Sequence, residues 1–250
     1  MLSIKLDVHT HSIASGHGTA DTITDMAREA SSRGLQLLAV TEHGPATVNS
    51  CKSSYFRNIR HAPGQRFGVR MMYGCEVNIL DYKGRLDMPG ELLQELDINI
   101  ASLHPQTVKP GSAAENTEAV LAAVRNPHIH MIGHPDDAAY PLDYRRIVEE
   151  AMRYHVLLEL NNASLRPDGY RGDTRRNDMA YLRLCKEYGY PIVLTSDSHG
   201  RERIGCFEEA LKLLKAIDFP DDLILNYDAE MFQQWIKTIR TKKNKIKETL

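Results

Sequence analysis

Residues 3–18, "SIKLDVHTHSIASGHG", begin as a short apolar strand pattern and end in three imidazoles, His9, His11 and His17, after Asp7. A soluble core has no use for such an ending, so its partners must be sought along the chain. Six more segments repeat the arrangement: "LQLLAVTEH" (35–43), "VRMMYGCEV" (69–77), "LDINIASLH" (96–104), "HIHMIGHP" (128–135), "HVLLELNN" (155–162) and "PIVLTSDSH" (191–199). Each is an apolar run with His, Glu, Asn or Asp at its end. Between them lie helical patterns such as "ADTITDMAREASSRG" (20–34), "AENTEAVLAAVRN" (114–126), "LDYRRIVEEAMRYH" (142–155) and "NDMAYLRLCKEYG" (177–189), two of them stopping at glycine. Strand alternating with helix about seven times implies a parallel sheet covered by helices. Ligands bind at the C-terminal edge of such sheets. A closed barrel brings all seven strand ends to one place, whereas an open sheet uses only those beside its switch point. The expectation is an α/β barrel.

The totals narrow the function. The 250 residues suit a single domain over 1–250, with 235–250 as a basic helical tail whose "IKTIRTKKNKIKETL" reads as a solvated helix end. A formal net charge of −2, with both signs mixed along the chain, leaves no electrostatic footprint for duplex nucleic acid. No apolar run approaches the roughly 20 residues needed to span a bilayer. The start "MLSIKLDVHTH" turns charged too early for a signal peptide. Cys51, Cys75, Cys185 and Cys206 form no CxxC pair and read as reduced thiols, so a cytoplasmic location is expected.

His9 and His11, two apart on an extended segment, emerge on one face with Asp7 below them, and Asp197 and His199 repeat that spacing at the last strand. His17 follows in a turn, and His43, Glu76, His104 and His134 close the second to fifth strands. Taken singly, each strand-end histidine is an ordinary polar residue; their joint placement on one edge is what signals metal. His61, His128, His130 and His155 lie in a loop or at the opposite edge and read as structural. The nine N/O donors exceed the needs of one ion, since a catalytic zinc takes about three protein ligands and an open position. They suit three divalent ions, with zinc the best match and manganese or iron as options, and with the two oxygens of Glu76 bridging a pair. Two carboxylates, Glu76 and Asp197, leave such a cavity strongly positive, which suits a dianionic phosphate monoester. Metals lower the pKa of bound water from about 15.7 to about 7, so a metal-bridging hydroxide can serve as nucleophile.

The motifs "DVHTHS", "HG" at 17–18, "VTEHG", "GCEVNI", "SLHP", "IGHP" and "LTSDSH" resemble those of the PHP (polymerase and histidinol phosphatase) family, most closely its stand-alone bacterial phosphatases. The likeness runs from Asp7 to about Phe219. It implies a distorted (β/α)7 barrel with a trinuclear metal site at the C-terminal ends of the strands. His9, His11, Glu76 and Asp197 would then hold one ion, Glu76, His104 and His134 a second, and His17, His43 and His199 a third, with Glu76, Asp197 and His199 catalytic. "LELNNAS" resembles the same branch and makes Asn161 or Asn162 an orienting group. The loop "RPDGYRGDTRRND" (166–178) offers Arg171, Arg175 or Arg176 as a phosphate fork. In one departure, Glu42 stands where the family usually has Asp. If that carboxylate orients His43, its longer arm shifts the ring.

The reading is a metal-dependent hydrolase of small phosphate monoesters. The alternatives are a histidinol-phosphate phosphatase, a phosphodiesterase or nuclease for single strands, and a metal-binding interaction module.

Overall fold

The computed structural model describes residues 3–249, and the side chains of Arg240 and of residues 244–249 lie outside that description. In chain order the elements are β1 (Leu6–Asp7), β2 (Thr10–His11), α1 (Ile23–Ser32), β3 (Leu37–His43), α2 (Ser53–Ile59), β4 (Gln65–Arg66), β5 (Val69–Asn78), α3 (Gly90–Leu93), β6 (Ile98–Ser102), α4 (Ala113–Arg125), β7 (Met131–Ile132), α5 (Tyr144–Tyr154), β8 (Leu157–Asn161), α6 (Asn162–Leu165), α7 (Arg175–Tyr188), β9 (Ile192–Thr195), β10 (Ser198–His199), α8 (Glu208–Ala216) and α9 (Ala229–Thr249). Local chemistry explains the helix ends. Thr22 and Asp25 form a reciprocal capping box on α1, and Ser112 and Glu115 form one on α4. Gly189 ends α7 at φ 63°, a left-handed conformation that costs a glycine little.

Seven strands, β1, β3, β5, β6, β7, β8 and β9, follow one another in parallel, and β4 adds an antiparallel pair to β5. The sheet curls into an almost closed barrel, as the strand and helix alternation implies. Its two edges meet without a continuous ladder. The buried Asn226 spans the seam: its amide nitrogen donates to the carbonyls of Leu6 (3.2 Å) on β1 and Leu194 (2.8 Å) on β9, and its oxygen accepts from Leu194 N (2.7 Å). At the opposite end of the barrel β2 pairs with β10, in a register that sets His11 beside His199.

Inside the barrel, Leu6, Leu37, Ile98, Ile100, Met131, Leu157 and Val193 form an apolar plug with Phe232, Ile236 and Ile239 from α9. That helix therefore stoppers the end of the barrel away from β2 and β10. The expected solvated basic tail needs correction here. Lys243 is buried, and its ammonium donates to the carbonyls of Val124 (2.9 Å), Asn126 (2.7 Å) and Ile129 (2.6 Å), where α4 runs out and its last carbonyls lack helical partners. Burial pushes this amine down to about 7. The tail expectation for residues 244–250 concerns side chains outside the description. No described helix is long and apolar enough to cross a membrane.

Replacing Asn226 with Ala leaves two carbonyls and one amide unpaired at the seam. Each such group costs about 1–3 kcal/mol. Urea unfolding of Asn226→Ala is expected to lose at least about 3 kcal/mol. A loss under about 1 kcal/mol would show that the seam does not depend on this side chain.

Candidate metal centre at the strand ends

All nine strand-end residues named from the sequence meet at one end of the barrel. Parallel register places His43 directly beside Glu76, and His11 beside His199. Glu76 is the hub. Its Oε1 lies 3.0 Å from His134 Nε2 and 3.2 Å from His104 Nε2, and its Oε2 lies 3.4 Å from His9 Nε2 and 3.6 Å from His11 Nε2. Asp197 Oδ1 completes the His9 and His11 side at 3.8 and 3.3 Å. On the outer side, His199 Nε2 faces His43 Nε2 at 3.4 Å and His17 Nε2 at 3.2 Å. Donor atoms of His9, His11 and Glu76, of His43, Glu76 and His104, and of His11, His43 and His199 each lie within 4.8 Å of one another. Glu76 belongs to two of these groups, as a bridging carboxylate must.

The outward nitrogens of four imidazoles are tied down, with the tautomer set by the partner. His9 Nδ1 donates to Glu159 (2.5 Å), His11 Nδ1 to Ser15 Oγ (3.0 Å), His104 Nδ1 to Asn78 Oδ1 (2.7 Å) and His199 Nδ1 to the Asp197 carbonyl (3.2 Å). Each bond leaves the inward Nε2 as the lone-pair nitrogen. Meanwhile His9 Nε2, His11 Nε2, His43 Nδ1 and Glu76 Oε2 are buried without a hydrogen-bond partner. His43 Nδ1 comes within 2.5 Å of Glu76 Oε2, yet off any hydrogen-bonding direction. Buried polar atoms in native proteins are almost always paired. Lone pairs aimed at a common point, those of His9 and His11 held from behind, are what a multivalent cation needs. The residues present fit divalent metal.

Electrostatics agree except at His9, where burial would lower the ring but the carboxylates of Glu159, Glu76 and Asp197 hold it well above the usual histidine range. Burial alone would raise the Glu76 carboxyl, but the imidazoles of His104, His9 and His43 hold it well below the usual carboxylate range. Asp197 opposes the same burial with His9 and Arg171 and is likewise held low. Burial, then the neighbouring rings of His43 and His199, push His11 well below the usual histidine range, and burial takes His104 down to about 4. Ionised carboxylates and neutral imidazoles are the forms that bind metal. Two of the nine residues also carry unusual backbone: His134 at φ 27° and Asp197 at φ 50°. A side chain in that region costs free energy and is found most often where a site demands it. Gly18, at φ 81°, has a local reason, because a Cβ there would meet the His199 ring at 2.9 Å.

Other expectations fare differently. Glu42 does not orient the His43 ring. Its carboxylate turns back to accept from Ser12 N (3.1 Å), Ser12 Oγ and Ser15 Oγ (2.5 Å), so it fixes the turn before His17 and reaches His11 through Ser15. Asn161 does orient the site: its amide nitrogen donates to Asp197 and to Glu159, both at 3.1 Å. Asn162 does not, because its oxygen accepts from Glu209 N and Ala210 N at the start of α8. Arg175 and Arg176 are exposed in the first turn of α7, where Arg175 pairs with Glu209 at 2.9 Å, and neither lines the cleft. Arg171 does line it, buried and donating to Asp197 Oδ2 at 2.9 Å.

The sequence reading missed Glu159. It lies beneath the site and accepts from His9, Thr195 and the His134 backbone amide. Its signal was a charged residue inside the otherwise apolar strand "LLELN". Ser15 and Asn78 gave no such sign. Above the site a cleft of 570 Å³ opens beside His17, His43, His104 and His199.

With this geometry in place, the chain can be compared with known proteins. Residues 7–242 match the PHP domain family. A probable phosphatase of Clostridium novyi (strain NT) is 41% identical over 243 residues, 97% of each chain. Another, from Acetivibrio thermocellus, is 40% identical over 94% of this chain and 96% of its own. Among solved structures, histidinol phosphate phosphatase from Lactococcus lactis, complexed with Zn, L-histidinol and phosphate, is similar at a TM-score of 0.58 and 23% identity, covering 86% of this chain and 94% of that one. A putative histidinol phosphatase from Listeria monocytogenes matches at 0.58 and 19%, over 82% and 99%. These two likenesses concern the fold. The extent of the family match and the identity to the curated relatives establish that the chain belongs to the PHP domain family.

Proposed function

We propose that this protein is a metal-dependent phosphatase of small phosphate monoesters. The observation that carries the reading is the set of inward-facing, unpartnered donor atoms of His9, His11, His43 and Glu76, with the rings of His9 and His11 held from behind by Glu159 and Ser15. His9, His11, Glu76 and Asp197 would hold one divalent ion, Glu76, His104 and His134 a second, and His17, His43 and His199 a third. Zinc suits a donor set dominated by imidazole. The zinc and phosphate in the Lactococcus lactis protein support the same choice. When bound, such ions supply a water molecule acidified toward neutrality and positive charge for phosphoryl oxygens.

The chain's own residues do the positioning. Glu159 raises the basicity of His9 Nε2 by accepting from Nδ1. Asn161 and Arg171 hold Asp197 Oδ2, so that Oδ1 faces His11. Arg171 thus acts on Asp197 through Nη2, while its Nη1 donates to Ser164 Oγ at 3.1 Å. The curated relatives named as probable phosphatases support the reaction class.

Purified protein is expected to carry close to three divalent ions per chain, to lose activity on chelation and to regain it when metal returns. Glu76→Gln, with one good donor oxygen in place of two, should lose more than one ligand's worth of metal and at least roughly 10²-fold in turnover. Full activity with one ion or none would sink the reading.

Charge and oxygen count separate monoester from diester chemistry. A monoester brings a dianion and three non-bridging oxygens, whereas a diester brings one charge and two. The kcat/KM for p-nitrophenyl phosphate is expected to exceed that for bis-p-nitrophenyl phosphate, with inorganic phosphate competing. If the diester proves better, or single-stranded oligonucleotides are cut efficiently, the nuclease reading takes precedence.

The link from Glu42 through Ser15 to His11 has its own test. Ser15→Ala and Glu42→Asp, whose arm is one methylene short, should each weaken metal binding about 10- to 100-fold in competition with a chromophoric chelator. The double variant should be little worse than either single one. Unchanged affinity in Ser15→Ala would remove Glu42 from the metal centre.

A further inference from the structure

The 570 Å³ cleft is far larger than a phosphoryl group requires, so most of it must receive whatever the phosphate is esterified to. Two of the residues lining it are large, apolar and open: Tyr170 is 77% exposed and Val48 is 70% exposed. Pro105 adds a third apolar surface. Exposed apolar side chains scattered singly need no explanation, but those gathered in the cleft over a reactive site do.

Tyr170 is anchored. Arg171 Nη2 donates to its hydroxyl at 2.8 Å, and the guanidinium carbon lies 4.7 Å from the ring centroid. The same buried guanidinium pairs with Asp197 at 2.9 Å. One cation therefore fixes the ring to the floor of the site and leaves most of the ring surface open. Charge limits what can lie there. Apart from the imidazoles, the charged side chains among the described residues lining the cleft are Asp137 and Arg171, and the arginine is committed to Asp197. Away from the ions, a second phosphate or a carboxylate on the ester would find no free cationic side chain and would share the cleft with Asp137.

We infer that Tyr170 is a specificity-determining residue, and that the substrate is the monophosphate of an alcohol with a flat, apolar body and no second anionic group, bound against Tyr170 and Val48. The assignment rests on the phosphatase reading above. It concerns the leaving group, which that reading leaves open.

The test compares ethyl phosphate, 2-phenylethyl phosphate and 2-(4-carboxyphenyl)ethyl phosphate on the metal-loaded full chain. All three leave as primary alcohols of similar basicity, so differences in kcat/KM report on binding of the body. For the wild type, phenylethyl is expected to exceed ethyl phosphate by about tenfold or more, mainly through KM, and the carboxylate should remove most of that gain. Tyr170→Phe keeps the ring and should keep the preference. Tyr170→Ala should reduce the ratio to within about threefold. Val48→Ser, at an exposed position with little bearing on folding, should narrow it as well. A wild-type ratio near one, a ratio that survives Tyr170→Ala, or full tolerance of the carboxylate overturns the assignment while leaving the phosphatase intact. If the metal-loaded protein cleaves none of the three, both the phosphatase reading and this assignment fall.

Discussion

The site exists because the first strand of the barrel meets the last. His9 and His11 come from the beginning of the chain, Asp197 and His199 from nearly 190 residues later. The register of β2 on β10 makes neighbours of His11 and His199. At the other end of that seam Asn226 replaces a missing ladder with three side-chain hydrogen bonds. Closure across so long a stretch of chain has a large entropic cost. The packing of α9 into the barrel helps to offset it, with Phe232, Ile236 and Ile239 filling the end opposite the donors. Stability is thus concentrated at one end of the barrel and chemistry at the other.

Once the strand ends are together, their electrostatics decide the rest. Imidazoles surround two carboxylates, and three of the inward lone pairs are stiffened by something behind them: Glu159 behind His9, Ser15 and Glu42 behind His11, Asn78 behind His104. Asn78 is itself held by Asp87, its amide nitrogen lying 2.6 Å from Oδ2. Glu159, Glu42 and Asp87 therefore form an outer layer of carboxyl groups beneath the rings. Such an arrangement is costly for an empty polar pocket and favourable for a guest of high positive charge. The left-handed backbone at His134 and Asp197 belongs to the same economy, local strain held in place by the surrounding structure.

The cleft is built on a different layer. The candidate metal ligands come mostly from strand ends, whereas Tyr170 and Val48 come from loops that the barrel carries above them. A rigid scaffold with variable loops lets one chemistry serve many alcohols. Arg171 joins the layers, with Asp197 at one end of its guanidinium and Tyr170 at the other.

How much of this could be read from the chain follows from what kind of information each feature carries. Strand periodicity and the residue at each strand end are local, so the seven alternations, the barrel and the nine residues it gathers at one end were all legible in the sequence. Glu159 was half legible, as a charge in an apolar strand. The roles of Glu42, Ser15, Asn162 and Lys243 were not, because each depends on where a side chain's reach ends in three dimensions. Glu42 looked like a partner for the adjacent His43, but its arm carries it to the 12–15 turn. Asn162 sits beside the orienting Asn161, yet strand and helix geometry point it to the start of α8. Lys243 looked like one more solvated charge until the end of α4 and the segment after it supplied three carbonyls for it. Residue type and spacing determined which atoms this protein can offer a metal; only the folded barrel decided which way each atom faces, because hydrogen-bond direction is set by neighbours distant in sequence.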